Sequence, residues 1–360
     1  MTARRLKSLW LVALASLAAA PAFAQNKMDP SLRSTAQRSV DEGLRYLRGT
    51  QAADGSWSRS VGITALALRA FVESHRAYDE TDGAFITRPV QFILSHVNED
   101  GSISETAQNE NYNTAVAMVA LKLLNNPAHA EVLANAQKFL LGLQIDDGEG
   151  YAPDHRYYGG IGYGGDERPD LSNQYMAMEA LRAVATDPAN PVWERALIFI
   201  NRSQNRSESN DQEWAGNDGG FTYMPGFSPH GETDSYGGMT HAGLISLLFA
   251  GIDKNDPRVA AAYDWIRANY TLDENPGAAD RQGLFYYYLT FATSMYAFDE
   301  VEITDTDGNV HNWRNDLATA LLELQDEDGS WVNARSSRWW EDIRDLVTAR
   351  AVIALNLATR

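Results

Sequence analysis

Two glycine-rich loops carry the residues best suited to chemistry. The first runs Tyr157-Tyr-Gly-Gly-Ile-Gly-Tyr163-Gly-Gly-Asp166-Glu-Arg168-Pro-Asp170-Leu-Ser172-Asn173. Its glycines permit a tight loop, and Asp170 or Ser172 has the side chain to cap a following helix. Such a loop would hold Tyr163, Asp166, Arg168 and Asn173 over an opening beneath it. Its Gly-x-Gly-x-Gly-Gly character follows no strand, so it does not read as a dinucleotide fingerprint. The second loop runs Pro229-His230-Gly-Glu-Thr-Asp234-Ser-Tyr236-Gly-Gly-Met-Thr240-His241. His241 falls near the start of an apolar segment, where burial and a helix N-terminus lower an imidazole pKa and make a general base. A satisfied core histidine is the competing reading. His241, Asp170 and Asp234 are therefore the catalytic candidates, with Tyr236 beside them as a ligand contact.

Aromatic clusters supply a possible lining. Phe285-Tyr286-Tyr287-Tyr288 and Trp339-Trp340-Glu341-Asp342 both precede apolar segments. Ring faces stabilise cations or stack on sugars. Tyr287, Tyr288, Trp339, Trp340 and Glu341 join the binding candidates on that ground, although each alone serves equally well as core filling. Together with the nearby carboxylates they describe a ligand pocket. Asp305-Thr-Asp307-Gly308-Asn309 resembles the start of a calcium loop without its later bidentate glutamate, and reads as a polar hairpin turn. No residue pattern calls for a cofactor or a metal.

The elements that position these groups repeat. Tyr46-Leu47-Arg-Gly-Thr-Gln51-Ala-Ala-Asp54-Gly55-Ser-Trp57 and Leu321-Leu322-Glu-Leu-Gln325-Asp-Glu-Asp328-Gly329-Ser-Trp331 share one spacing from the leucine onward. A third copy is read at Phe139-Leu140 through Gln144 to Asp147-Gly148-Glu-Gly-Tyr151, its aromatic one place late. Weaker copies lead to Asp100-Gly101-Ser102-Ile103, to Asp218-Gly219-Gly220-Phe221 and to Pro276-Gly277. Before each turn lies an amphipathic pattern, as in Val40, Leu44 and Leu47. After it lies a more uniformly apolar helix: Val61–Val72, Tyr112–Leu124, Gln174–Val184, Met239–Ala250, Tyr286–Phe298 and Leu346–Leu357. A helix apolar on all sides is buried on all sides. The fold expected is all-α: six helix pairs, buried helices inside amphipathic ones, closed as an (α/α)6 barrel or toroid. The residues breaking the repeat fall mainly in 154–170 and 203–218, loops of a length that shapes one mouth of a cavity.

The Leu-x3-Gln-x3-Gly-x-Trp element at Leu47–Trp57 and Leu321–Trp331 resembles the QW motif of squalene–hopene cyclases. The helix pairs resemble the wider prenyltransferase and squalene oxidase repeat group. That resemblance implies a terpene-cyclase-type barrel in which Gln51, Trp57, Gln325 and Trp331 brace outer helices and take no part in catalysis. It also implies a central cavity for a terpenoid or other apolar ligand. The cyclases' catalytic Asp-x-Asp-Asp is absent, the nearest strings being Asp305-Thr-Asp307-Gly and Asp326-Glu-Asp328-Gly. The zinc site of protein prenyltransferases needs a cysteine, and the chain has none. A polysaccharide-active lyase or hydrolase and a non-catalytic interaction solenoid remain alternatives, so the ligand is a small molecule or a glycan.

Composition bounds the rest. The formal charge of −18 disfavours nucleic acid and anionic lipid as partners. Arg4, Arg5 and Lys7 precede an apolar run from Leu9 to Ala20 and the small-x-small pattern Ala22-Phe23-Ala24, which reads as a signal peptide over residues 1–24. A single domain over 25–360, exported to the periplasm or beyond, is the expectation. No later stretch reaches the about eighteen apolar residues of a membrane span. Nothing bears on oligomeric state.

Overall fold

The computed structural model describes residues 28–164 and 168–360, so the signal-peptide reading and Asp166 lie outside the described residues. Three of the helices outside the core begin on a shared signal: an Asx side chain caps the first turn and proline takes the first helical position, where no amide hydrogen is needed. Asp29-Pro30, Asn190-Pro191 and Asp256-Pro257 start α1 (Pro30–Thr50), α7 (Pro191–Ser203) and α9 (Pro257–Ala268) in this way. The same layer holds α3 (Ala84–Leu94), α5 (Ala130–Leu141) and α11 (Trp313–Glu323). Alternating with them are α2 (Val61–Glu73), α4 (Glu110–Leu123), α6 (Leu171–Ala183), α8 (Gly237–Phe249), α10 (Leu284–Phe298) and α12 (Arg344–Thr359). These are the apolar ones. α8 is buried from Gly237 to Leu248, and α12 from Leu346 to Thr359.

Packing follows that alternation. α2 packs on α4, α4 on α6, α6 on α8, α8 on α10 and α10 on α12, and α12 packs on α2. The odd-numbered helices lie against them, with α1 touching both α11 and α12. Among the described residues the only strands are β1 (Glu302–Thr304) and β2 (Val310–Asn312), an antiparallel hairpin. Asp305 closes its turn by accepting from the amides of Asp307 and Asn309, as the polar-turn reading expects.

A glutamine clasp joins successive repeats. The Gln51 amide donates to the carbonyl of Gly55 in its own turn and to that of Phe85 in α3. Gln144 does the same to Gly159 and Val192, Gln204 to Gly219 and Arg258, and Gln325 to Gly329 and Ser39 in α1. The indole nitrogens of Trp57 and Trp331 donate back to the carbonyls of Leu47 and Leu321, and both rings are fully buried.

The third repeat differs from the sequence reading. Its turn is not at Asp147-Gly148, and Tyr151 does not take the aromatic position. Gly159 occupies the turn, with φ +83° and with the carbonyl oxygen of Arg195 1.9 Å from where a Cβ would stand. Only glycine fits so close a backbone approach in that conformation. Ile161 takes the aromatic place, its amide bonded to Gln174 of α6. Asp147–Glu149 is a separate short turn capped by Asp146. From glutamine to turn glycine is four residues at Gln51–Gly55 but fifteen at Gln144–Gly159 and at Gln204–Gly219. Insertions at 145–158 and 205–218 thus lie inside the clasp, while residues 160–170 follow the turn glycine.

Replacing Gln144, which is 2% exposed, with leucine should leave two buried carbonyls without their donor. The expected loss is about 1–3 kcal/mol, read as a lower urea midpoint at unchanged slope. A change under about 0.5 kcal/mol, the usual range of a surface substitution, would show the clasp to be incidental.

Candidate functional site

The long loops lead into α6, α8, α10 and α12, and a buried carboxyl lies where they meet. Asp170 is the N-cap of α6 and 1% exposed. Its carboxylate accepts from the Asn173 amide at 2.9 Å and the Asn173 side chain at 2.8 Å, and the Tyr223 phenol is near enough to favour its anion. The Tyr223 hydroxyl lies 3.3 Å from that of Tyr163. Across from them the Tyr286 hydroxyl, on α10, meets Ser172 Oγ at 2.8 Å. The glycine-rich loop is pinned in place by Asn111 of α4, whose backbone amide donates to the Tyr163 carbonyl and whose side chain donates to that of Gly162.

Burial dominates the electrostatics here. It pushes Asp170 up to about 6, against the Asn173 hydrogen bonds and the nearby Tyr223 phenol, which favour the anion. Burial also raises the phenols of Tyr163, Tyr223, Tyr236 and Tyr286, and the charge of Asp170 adds to each. At neutral pH these tyrosines are protonated, so they offer hydroxyl donors and ring faces rather than bases. The arrangement is a carboxyl able to take or give a proton near physiological pH inside a cage of phenols.

A charged layer lies deeper. Arg69 of α2 pairs with Glu73 at 2.8 Å and with Glu179 of α6 at 2.9 Å, and Glu73 also meets Arg360 at 3.3 Å. Helix α4 separates α2 from α6, so the Arg69–Glu179 pair bridges helices that are not packing neighbours, as Ser172–Tyr286 does over α8. From Ser172 to Glu179 along α6 is about 10 Å at 1.5 Å per residue. Burial opposes ionisation of both Arg69 and Glu73, but their opposite charges outweigh it, holding Arg69 up and Glu73 down. Ion pairs therefore link α2, α6 and the end of α12 below the phenols.

Tyr163, Asp170, Asn173 and Tyr236 come together as candidates on one site. Others go elsewhere. His241 is 1% exposed between α8 and α10, with Nδ1 2.6 Å from Ser294 Oγ and the rings of Tyr287 and Phe291 around it. Burial pushes it down to about 3, so it is neutral and has no acid beside it; Asp234 and Arg168 are exposed on their loops. Tyr287 and Tyr288 donate to the carbonyls of Thr271 and Leu272, tying down the loop ahead of α10. The ring that meets the site is Tyr286, one residue earlier, because each helical step turns the side chain by about 100°. Glu341 is fully buried and caps α10: one oxygen accepts from the amides of Phe285 and Tyr286, the other from Asn333. It braces the helix rather than facing a ligand. Trp339 is partly buried against His230, and Trp340 is 58% exposed.

Residues absent from the sequence reading are Tyr223, Ser172 and Tyr286 as contacts, and the arginines Arg69 and Arg350. The arginines had a visible signal, a lone cation inside an otherwise apolar helix such as Val61-Gly-Ile-Thr-Ala-Leu-Ala-Leu-Arg69. A buried cation must find a partner or a use.

No protein-family model matches the chain. Over 131 aligned residues it is 30% identical to lanosterol synthase of Homo sapiens, a stretch covering 31% of this chain and 18% of that protein. The chain thus spans under a fifth of the length of that relative. Among solved structures, a protein from Actinoplanes aligns over 90% of this chain and 99% of its own, with TM-score 0.52 and 16% identity. A type II terpene cyclase from Scytonema aligns over 91% of this chain and 98% of its own, with TM-score 0.36 and 12% identity. The local identity with lanosterol synthase, on a chain built of helix pairs, makes this a terpene-cyclase-like fold.

Proposed function

We propose that residues 25–360 form a single (α/α)6 toroid and that its mouth binds a terpenoid or similar apolar small molecule, on which Asp170 acts by proton transfer. The packing of α12 on α2 and the clasp from Gln325 to α1 support the closed ring. The observation that carries the function is Asp170 buried among Tyr163, Tyr223, Tyr236 and Tyr286, and the terpene-cyclase-like fold supports the ligand class.

The chemistry follows from the strength of the acid. A carboxyl near 6 is well matched to moving a proton at an oxygen function near neutral pH. It is too weak for protonating an unactivated double bond, which needs the clustered acids this chain lacks. The phenol faces stabilise positive charge that develops on the ligand, and the ion-pair layer sets a floor that keeps the ligand shallow. The rim residue Trp340, exposed beside Trp339, favours a second reading in which a sugar stacks at the mouth. The basic, apolar and small-residue series of the first 24 residues supports export; no described helix is long and apolar enough to cross a membrane.

Saturation-transfer NMR against farnesol, geranylgeraniol and a panel of oligosaccharides, with gas chromatography of the incubated mixtures, tests the proposal. A prenyl alcohol is expected to bind and to be converted, with Asp170→Asn binding it unchanged and converting none. Binding by oligosaccharides alone, or conversion undiminished in the variant, would overturn it.

A further inference from the structure

Arg350 has a task that neither the fold nor Asp170 accounts for. It lies on α12 and is 5% exposed, yet its Nε and Nη1 are buried without a hydrogen-bond partner. Its nearest acid is Glu341, at 3.7 Å from Nη1, beyond hydrogen-bonding range. The oxygens of Glu341 are already taken by Phe285, Tyr286 and Asn333. Glu341 therefore lends charge without satisfying the guanidinium. Arg314, 8% exposed, also has an unpartnered Nε, but its Nη1 donates to the carbonyls of Leu357 and Ala358, and two further buried arginines are held by acids. Arg202 bonds both oxygens of Asp211 and the carbonyls of Pro153 and His155, and Arg69 has Glu73 and Glu179.

We propose that Arg350 recognises an anion and that the ligand of this mouth carries a carboxylate. The inference rests on the reading of the mouth as a small-molecule site and specifies what that molecule bears. A buried guanidinium with unfilled donors on Nε and on Nη1 suits an anionic oxygen, as a carboxylate supplies. One cation, partly offset by Glu341 and facing Asp170 beyond Tyr286, suits one negative charge. A diphosphate needs several cations or a divalent metal, and among the described residues no group of three His, Asp or Glu side chains could hold a metal. The geometry also sets the direction of the ligand. Arg350 lies 5.4 Å from the centre of the Tyr286 ring, and the Tyr286 hydroxyl reaches Ser172, two residues from Asp170. A carboxylate held at Arg350 would run its apolar body along that ring toward the acid.

Calorimetric titration of the full chain with farnesoic acid, farnesol and farnesyl diphosphate tests this. Farnesoic acid is expected to bind about tenfold or more tighter than farnesol, the worth of one charge-assisted pair. Arg350→Met should erase that preference while farnesol binds as before, which also shows that the variant is folded. Arg350→Lys should keep part of the preference. Equal binding of the acid and the alcohol, a preference for the diphosphate, or a preference that survives Arg350→Met would each overturn the assignment while leaving the mouth a terpenoid site. Failure of all three to bind would instead overturn the terpenoid reading, and this assignment with it.

Discussion

Arg69→Met is expected to destabilise the fold by about 3–5 kcal/mol, the range found when one partner of a buried ion pair is removed. The arginine is 6% exposed, and the side chains of Glu73 and Glu179 are 1% and 12% exposed. Methionine fills a similar volume, so packing changes little. What changes is that Glu179 loses the cation it pairs with and Glu73 keeps Arg360. Each must then take up a proton or draw in water. Chemical denaturation followed by far-ultraviolet circular dichroism reads the loss directly. Restoring neutrality with Glu73→Leu and Glu179→Leu in the same chain should recover most of it, since well-packed apolar groups replace such networks with little cost. A single variant within about 1 kcal/mol of the parent would mean that the network is solvated, and the floor assigned to the mouth would be lost with it.

Lowering the pH should strengthen the fold through Asp170, by up to about 3 kcal/mol. The carboxyl moves from 3.8 to about 6 on folding, and each pKa unit is worth about 1.36 kcal/mol. The folded state binds this proton more tightly than the unfolded chain does. The contribution is thus fully present below about 3.8 and is lost as pH rises through about 6. Other carboxyls act in the opposite sense: Arg202 holds Asp211 down to about 2. The contribution of Asp170 therefore appears as a difference. Between pH 4 and 7 the stability gap between the parent and Asp170→Asn should shift steadily in favour of the variant. Parallel pH profiles would show that the carboxyl is solvated and ordinary, and its role as a proton carrier near neutrality would fall.

The helices were legible because burial writes a period into the sequence. Val61–Val72 and Tyr286–Phe298 fall within a few residues of α2 and α10, since an apolar run with a glycine turn before it has few other structures open to it. The third turn was misread because Asp147-Gly148 stands nearer to Gln144 than Gly159 does. Spacing alone cannot separate a local capped turn from the glycine that touches α7. The carboxyl of Asp170 was legible as a cap, but its tyrosine cage was not. Tyr163, Tyr223 and Tyr286 come from three segments, and only the closing of helix on helix brings the first two together and sets the third against Ser172. The Arg69–Glu179 pair was hidden for the same reason, being an encounter between helices with another helix between them.

The clasp makes the two long loops interchangeable parts. Whether four residues or fifteen separate glutamine from glycine, the ends arrive at the same place, held by the same amide donating to the turn and to the next helix. What the loop contains is then free to vary wherever it does not itself bond the frame, as it does where Arg202 of α7 holds the carbonyls of Pro153 and His155. Residues 145–158 stand apart from the buried carboxyl, because Tyr163, Asp170 and Asn173 follow Gly159 and Tyr223 follows Gly219. A lineage built this way can rewrite a cassette between two fixed hydrogen bonds without disturbing the buried carboxyl.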